Sequence, residues 1–177
     1  MFTRRILAAP AIALVFAAGA ASAQGLGKPL SESDLKQWDI TILPDGTNLP
    51  PGNGTPAQGA KVFAEKCSAC HGDAGKGAVA PYYPALVGGQ PLTNGIDTVK
   101  TIANYYAYAT TIFDYVRRGM PYNTPRSLTD DEVYSLTAYI LSLNKLIGEG
   151  DVMDAKTLPQ VKMPNRDNFI MPYPDRL

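Results

Sequence analysis

The fold of this chain is decided by the stretch Cys67-Ser68-Ala69-Cys70-His71. Two cysteines separated by two residues and followed at once by a histidine have the spacing of a covalent haem attachment site, in which both thiols add to haem vinyl groups. Residues three and four positions apart share one face of a helical turn, so Cys67, Cys70 and His71 can converge on one flat cofactor. We therefore predict one covalently bound haem c, with His71 as the proximal ligand of the iron.

Two other uses of a Cys-x-x-Cys segment suit this chain less well. A redox-active pair of the thioredoxin type follows a strand in an alternating β/α pattern, and no such strand is predicted before the motif. A zinc site takes about four ligands, whereas the whole chain contains two cysteines and one histidine. Because the motif uses both cysteines, no disulfide is expected, and stability must come from the haem and its ligands.

The first 23 residues have the pattern of a secretion signal. Arg4 and Arg5 precede an apolar run over residues 6–20, and Ala21-Ser22-Ala23 is a small-residue cleavage site. The run is too short for a transmembrane segment. We predict cleavage near Ala23 and a periplasmic mature chain. Cleavage would leave 14 basic and 16 acidic side chains, and this slightly negative charge argues against a nucleic acid partner.

A well-marked helix begins just before the haem motif. Thr55 suits the N-cap, Pro56 suits the first helical position, and Gln58 completes a capping box. We predict that Phe63 lies in the core beside the haem. The helix face that is directed towards the haem consists of Ala60, Phe63, Ala64 and Cys67.

Two further helices are predicted in the second half of the chain. Residues 129–132 form another capping box, and apolar residues at three-four spacing then predict the buried face of a closing helix. A shorter helix is predicted over residues 111–119, with Gly119 as a left-handed stop. The tyrosine-rich segment 105–108 before it is interpreted as pocket wall. The buried face of the closing helix consists of Val133, Leu136, Ile140, Leu143 and Ile147.

Besides Phe63, three residues outside the motif are candidates for binding the haem. His71 is the only histidine, so the second axial ligand must be of another type, and we predict Met120 because a thioether is a usual partner of histidine in this role. If Met120 were only core filler, the iron would be open or bound by lysine or tyrosine. The carbonyl of Pro84 is predicted to accept a hydrogen bond from the second ring nitrogen of His71, although an ordinary proline-glycine loop would also explain this segment. Leu86 is then predicted to pack on the ring.

The haem domain is predicted over residues 55–148, between two extended arms. The N-terminal arm, residues 24–54, should hold a short strand at 38–42 and end in a proline-glycine linker. The C-terminal tail, residues 149–177, has no helical period. Two alternatives stay open for it, because its apolar content exceeds that of a solvated linker: it packs on its own domain, or it lies on a partner subunit and holds the haem edge near the electron donor.

These segments together resemble a known family. The region from Gly59 to His71, the loop 84–88, the Met120-Pro121 pair and the closing helix are similar to a class I cytochrome c, which implies an all-α fold around one haem. Further segments resemble the monohaem cytochrome subunit of sulfite and sulfane dehydrogenases, the SoxD-like family. Those segments are residues 38–40, 44–47, 106–122, 127–144 and 161–166.

The resemblance implies an electron-transfer subunit and not an enzyme in its own right. It would accept single electrons from a periplasmic molybdenum-cofactor dehydrogenase of sulfur compounds and pass them to a downstream cytochrome or oxidase. The residues support the general part, because a haem with both axial positions filled offers no site for substrate. Two alternatives remain: a carrier for an unrelated dehydrogenase such as a quinoprotein, and a haem ligand-binding or sensor protein.

Overall fold

The computed structural model describes residues 27–77, 85–89, 92 and 99–169. The predicted signal peptide, Pro84 and the last eight residues lie outside this described part. The chain divides into two compact units, Met1–Trp38 and Asp39–Leu177. No helix in the described ranges combines the length and the apolar character that crossing a membrane would require.

In its described residues, 27–38, the first unit contains the short helix α1, Glu32–Trp38. Its start is stabilised by Ser31, whose hydroxyl accepts a hydrogen bond from the Asp34 amide at 3.2 Å, while the Asp34 carboxylate accepts one from the Ser31 amide at 3.1 Å.

The prediction of a strand at residues 38–42 is wrong. Trp38 ends helix α1, and residues 39–43 are irregular. Side chains satisfy this backbone in place of a neighbouring strand: the Asp39 carboxylate accepts from the Thr41 amide at 3.3 Å, and Asn48 Nδ2 donates to the Thr41 carbonyl at 3.0 Å. An alternation of five residues predicts a strand only where a pairing partner is present, and these hydrogen bonds replace one.

The second unit is mainly helical, as predicted. Thr55 and Gln58 form the expected capping box at the start of one helix, and Thr129 and Glu132 form the other. Strand is limited, within the described ranges, to an antiparallel pair of two residues each, β1 and β2. The helices are α2 (Pro56–Lys66), α3 (Ser68–His71), α4 (Ile102–Tyr105), α5 (Ala109–Gly119) and α6 (Asp130–Leu143), and the strands are β1 (Asn53–Gly54) and β2 (Met153–Asp154).

Helices α2 and α6 touch through their backbones at Gly59. A Cβ atom placed on Gly59 would lie 1.9 Å from the carbonyl oxygen of Ser135, and one placed on Gly54 would lie 2.3 Å from the Ser135 amide nitrogen. Only glycine, whose side chain is a hydrogen atom, permits these two close contacts with the backbone of Ser135. The buried residues of α2 are Pro56, Gly59 and Phe63, so Phe63 is in the core as predicted. Ala64 was predicted on the helix face that is directed towards the haem, but it is exposed, because the contact of this helix with α6 is centred on Gly59.

Helix α6 is buried over most of its circumference. Val133, Tyr134, Leu136 and Leu141 are each at most 2% exposed. The helix ends at Leu143, one turn earlier than the predicted apolar face, which extended to Ile147. The Asn144 amide donates to the Ile140 carbonyl as the cap of the helix, and the next residue has a positive φ of 59°.

The tail packs on its own domain over residues 153–165. Leu158 and Met163 are fully buried, and Met153 and Val161 are at most 8% exposed. All four belong to the same hydrophobic core as Phe63 and the α6 residues. Of the two alternatives for the tail, packing on its own domain therefore describes residues 153–165.

Candidate functional site

A cavity of about 650 Å³ lies between helices α2 to α6. This volume falls within the usual range for a cofactor site. Six of the seven residues predicted to bind the haem line it, and the seventh, Pro84, lies outside the described residues. The six are Phe63, Cys67, Cys70, His71, Leu86 and Met120.

The junction of α2 and α3 presents the haem motif to this cavity. The Cys67 amide donates to the Phe63 carbonyl at 2.9 Å, which continues the hydrogen bonding of α2. The Cys67 carbonyl in turn accepts from the Cys70 amide at 3.1 Å and from the His71 amide at 2.9 Å. These bonds form one helical turn, so the two thiols and the imidazole lie on one face, as their spacing requires.

The environment of Cys67 is unlike that of a redox-active cysteine. Burial raises the pKa of the Cys67 thiol to about 11, Lys66 acts in the opposite direction, and the second thiol, Cys70, raises the pKa further. Redox-active Cys-x-x-Cys pairs depend on a lowered thiol pKa. The raised pKa of the Cys67 thiol is therefore the opposite of what the thioredoxin-type alternative requires.

The ring of His71 carries an unsatisfied polar atom. Nδ1 is buried and has no hydrogen-bond partner within the described ranges. A histidine that binds a metal through one ring nitrogen donates a hydrogen bond from the other. The predicted acceptor, the carbonyl of Pro84, lies outside those ranges, so this hydrogen bond stays a prediction. A buried ring nitrogen without a partner in the described ranges fits a histidine that binds a metal through its other nitrogen.

The loop with Leu86 is held by hydrogen bonds that we did not predict. Asn144 Nδ2 donates to the Leu86 carbonyl at 3.1 Å, and Asn144 Oδ1 accepts from the Gly88 amide at 2.9 Å. The Leu86 amide donates to the Gly75 carbonyl at 2.7 Å. Asn144 thus couples the end of α6 to the loop on the histidine side of the cavity. The sequence carried no signal for this role, because the predicted apolar face extended to Ile147 and placed Asn144 inside the closing helix.

Met120 lies directly after α5. Its amide donates to the Val116 carbonyl at 3.1 Å, and its own extended backbone caps the helix. Gly119 is the last helical residue and has no left-handed backbone, so its predicted role as a left-handed stop is wrong. The bond from Met120 to Pro121 is cis, and both residues line the cavity.

Met153, Met163 and Met171 differ from Met120 in their position relative to the cavity or lie outside the described residues. Met153 and Met163 are buried in the core and do not line the cavity. Met171 lies outside the described residues. Among the methionines that the structure describes, Met120 is therefore the one placed to provide a thioether to a group in the cavity.

Aromatic and aliphatic side chains form the remaining wall. Tyr105 and Tyr106 line the cavity, as the interpretation of segment 105–108 predicted. Burial raises the pKa of Tyr106 above its usual range, so its hydroxyl stays protonated at physiological pH. The aliphatic part of the wall consists of Ile102, Ile112, Val116, Leu128, Leu136 and Ile140.

These features fit a covalently bound haem. The cavity combines two thiols, one imidazole and one thioether with a lining that is otherwise mostly apolar. Sulfur and imidazole ligands of this kind hold haem iron, and an apolar surrounding controls water access to it.

Comparison with known proteins agrees with this chemistry. The family model described as "Cytochrome c" matches residues 56–144. A thiosulfate dehydrogenase of Psychrobacter arcticus is 31% identical over 93 residues. The aligned part makes up 50% of this chain and 26% of that protein, so the chain spans about a quarter of its relative's length.

A solved structure extends the similarity beyond the haem domain. A chain in the crystal structure of the sulfane dehydrogenase SoxCD from Paracoccus pantotrophus is 37% identical, with a TM-score of 0.75. The match covers 86% of this chain and 73% of that chain. The predicted resemblance to the SoxD-like cytochromes is thereby confirmed, and so is the fold.

Proposed function

The chain belongs to the cytochrome c family, and on this basis we propose that it is an electron-transfer protein that holds one haem through Cys67 and Cys70. His71 and Met120 would hold the haem iron. The observation that carries this proposal is that both cysteines, His71 and Met120 line one cavity. When bound, the haem supplies a one-electron ferric/ferrous couple.

The residues of the chain have distinct tasks towards the haem. Each thiol would add across one vinyl group, with its sulfur bonded to one vinyl carbon and its proton transferred to the other. The thioether of Met120 would hold the iron together with His71 and so leave no vacant position for a substrate or gas. Phe63 and Leu86 exclude water together with Tyr105 and Tyr106, which are named the tyrosine wall. An apolar site with methionine and histidine ligands favours a raised potential.

The electron donor in this proposal is a periplasmic molybdenum-cofactor dehydrogenase of sulfur compounds, and the acceptor is a downstream cytochrome or oxidase. Similarity to SoxCD and to a thiosulfate dehydrogenase supports the class of donor. The secretion-signal pattern of residues 1–23 supports the periplasmic location. In such a system the chain carries electrons and the partner subunit carries out the sulfur chemistry.

Haem attachment is tested by extraction with acid acetone and by mass spectrometry of the polypeptide. The haem should remain on the protein, and the mass should exceed that of the mature chain by one haem. Replacement of Cys67 or Cys70 by alanine should leave one thioether and shift the reduced spectrum. Complete extraction of the haem from the parent protein would refute the attachment.

The donor is tested separately with the oxidised holoprotein. The protein is mixed with sulfite or thiosulfate, with and without a purified molybdenum-containing sulfur dehydrogenase from the same source. Appearance of the reduced spectrum only with both enzyme and substrate supports the proposal. Equal reduction by a quinoprotein dehydrogenase and its alcohol would favour the alternative carrier. Rapid carbon monoxide binding by the reduced protein would show an open iron and favour a ligand-binding protein.

A further inference from the structure

We propose that residues 163–169, here named the C-terminal clamp, position the tyrosine wall of the cavity and thereby set how much water reaches the haem. Asn165 is the central positioning residue of this clamp. The inference deepens the proposed function and rests on it, since it concerns a haem bound in this cavity.

Asn165 links the tail directly to the cavity wall. Its side chain Nδ2 donates to the backbone carbonyl of Tyr105 at 2.7 Å. Its Oδ1 accepts from Asn168 Nδ2 at 3.0 Å, which fixes the orientation of the amide. Asn165 is 5% exposed. A buried amide with both ends satisfied holds its partner in a defined place, because breaking the contact would leave polar atoms without partners.

Two ring contacts hold Tyr105, which lines the cavity, and Tyr108, which follows the cavity-lining Tyr106 in the chain but does not itself line the cavity. The edge of the Phe169 ring contacts the Tyr105 ring, with centroids 6.0 Å apart and planes at 62°. The guanidinium carbon of Arg166 lies 4.3 Å from the centroid of the Tyr108 ring. Such contacts each add a modest stabilisation beyond burial. The clamp therefore holds both Tyr105 and Tyr108, on either side of Tyr106.

The wall needs support from outside its own element. Helix α4 has four residues, a single turn, and an isolated turn is unstable because its nucleation costs more than its hydrogen bonds return. The clamp, in contrast, is well anchored: Met163 is fully buried, and Val161 just before it is 8% exposed. The fixed position of Tyr105 and Tyr106 thus depends on Asn165, which is 60 residues away from Tyr105 in the sequence.

This arrangement has a consequence for the potential. Water stabilises the more highly charged ferric state, so a wall that excludes water raises the potential. Loss of the clamp should let α4 open more often and admit water at Tyr105 and Tyr106. The expected result is a lower midpoint potential with the axial ligands unchanged.

The experiment compares variants of the full-length holoprotein. Asn165→Ala removes the hydrogen bond to Tyr105, and Phe169→Ala removes the ring contact at a position that is 54% exposed, where folding is not at risk. Lys162→Ala is the matched control in the same tail segment, because its side chain is 81% exposed and forms a long ion pair of 3.8 Å with the exposed Asp167. Leu141→Ala, in the buried core away from the cavity, is the control for a general loss of stability.

Two readouts are measured: hydrogen exchange of the Tyr105 and Tyr106 amides, and the midpoint potential. In Asn165→Ala these amides should exchange about fivefold faster, the factor that corresponds to a hydrogen bond of about 1 kcal/mol. The midpoint potential should shift to lower values in both clamp variants and stay at the parent value in both controls.

The outcomes separate this inference from the proposed function. If the parent protein carries no covalent haem, the proposed function fails and the clamp fails with it. If the parent carries haem but both clamp variants match Lys162→Ala in exchange and potential, the clamp alone is wrong. Equal potential shifts in Leu141→Ala and Asn165→Ala would also overturn it, because general destabilisation would then explain the effect.

Discussion

Replacement of Gly59 by alanine should weaken this protein, although alanine is the better helix former. Gly59 lies in the interior of α2, where the exchange would by itself stabilise the helix by about 0.8–1 kcal/mol. The added methyl carbon would, however, lie 1.9 Å from the Ser135 carbonyl oxygen and 2.7 Å from the Tyr139 Cβ. The first of these neighbours is backbone and cannot rotate away, so the helices must separate.

The size of the effect follows from these two opposed terms. Overpacking of a core costs about 1–3 kcal/mol and occasionally more, and the contact with a backbone atom puts Gly59→Ala at the upper end. After the gain in helix propensity, we expect a net loss of about 2 kcal/mol in the free energy of unfolding. For a chain of this length, that corresponds to a melting temperature about 4–8 °C lower.

Gly119→Ala is the matched control. Gly119 also lies in a helix, α5, but a Cβ atom there would have no neighbour within 4 Å. This variant should be as stable as the parent or slightly more stable. Thermal and guanidinium unfolding of the ferric holoproteins, followed by far-ultraviolet circular dichroism, gives both values. A Gly59→Ala protein that melts at or above the parent temperature would refute the backbone contact between α2 and α6.

Three further predictions concern the iron ligand, an ion pair and a helix cap. Met120→Ala should abolish the methionine-to-iron charge-transfer band of the oxidised protein and lower its potential, whereas Met163→Ala should keep the band but cost about 2–5 kcal/mol of stability as a core truncation; loss of the band in the second variant would move the ligand to the tail. The Lys66 ammonium, and then the Thr129 amide, hold the pKa of Glu132 below its usual value of 4.5. The stabilisation of the folded protein by this ion pair is therefore complete above pH 4.5 and is lost as the pH falls through the lowered pKa of Glu132. Glu132→Gln should flatten the acid side of the stability profile, and an equally steep loss of stability in this variant as the pH falls below 4.5 would contradict the ion pair. Thr129→Ala should lower the free energy of unfolding by about 1 kcal/mol, measured by denaturant titration, and an unchanged midpoint would mean that the cap contributes nothing.

Features set by neighbouring residues could be predicted from the sequence. The spacing of Cys67, Cys70 and His71 defines a helical turn by itself, and each capping box is complete within four residues. The fold and the six predicted residues that line the cavity followed from these local signals and from the family resemblance. The short strand at residues 38–42 was wrong because a five-residue alternation carries too little information without a partner strand.

Features that depend on distant partners could not be predicted. Asn144 contacts Leu86 across 58 positions, and Asn165 contacts Tyr105 across 60. An asparagine has no sequence pattern that identifies its acceptor, since its amide can donate to any carbonyl within reach. The fully buried Met163 shows the same difficulty, because nothing in an irregular, proline-rich tail distinguishes a core residue from an exposed one.

The pairing of β1 with β2 brings together the two ends of the segment that carries helices α2 to α6. Asn53 lies opposite Asp154 and Gly54 opposite Met153, which closes a loop of about 100 residues at an entropic cost that grows only slowly with loop length. A domain whose flanking segments leave side by side can be inserted into a longer polypeptide without being stretched, and evolution and protein engineers both use such modules as interchangeable cassettes. In this chain, however, the core also includes Leu158 and Met163 beyond β2, so an enzyme that acquired the domain intact would have to take the following tail segment with it.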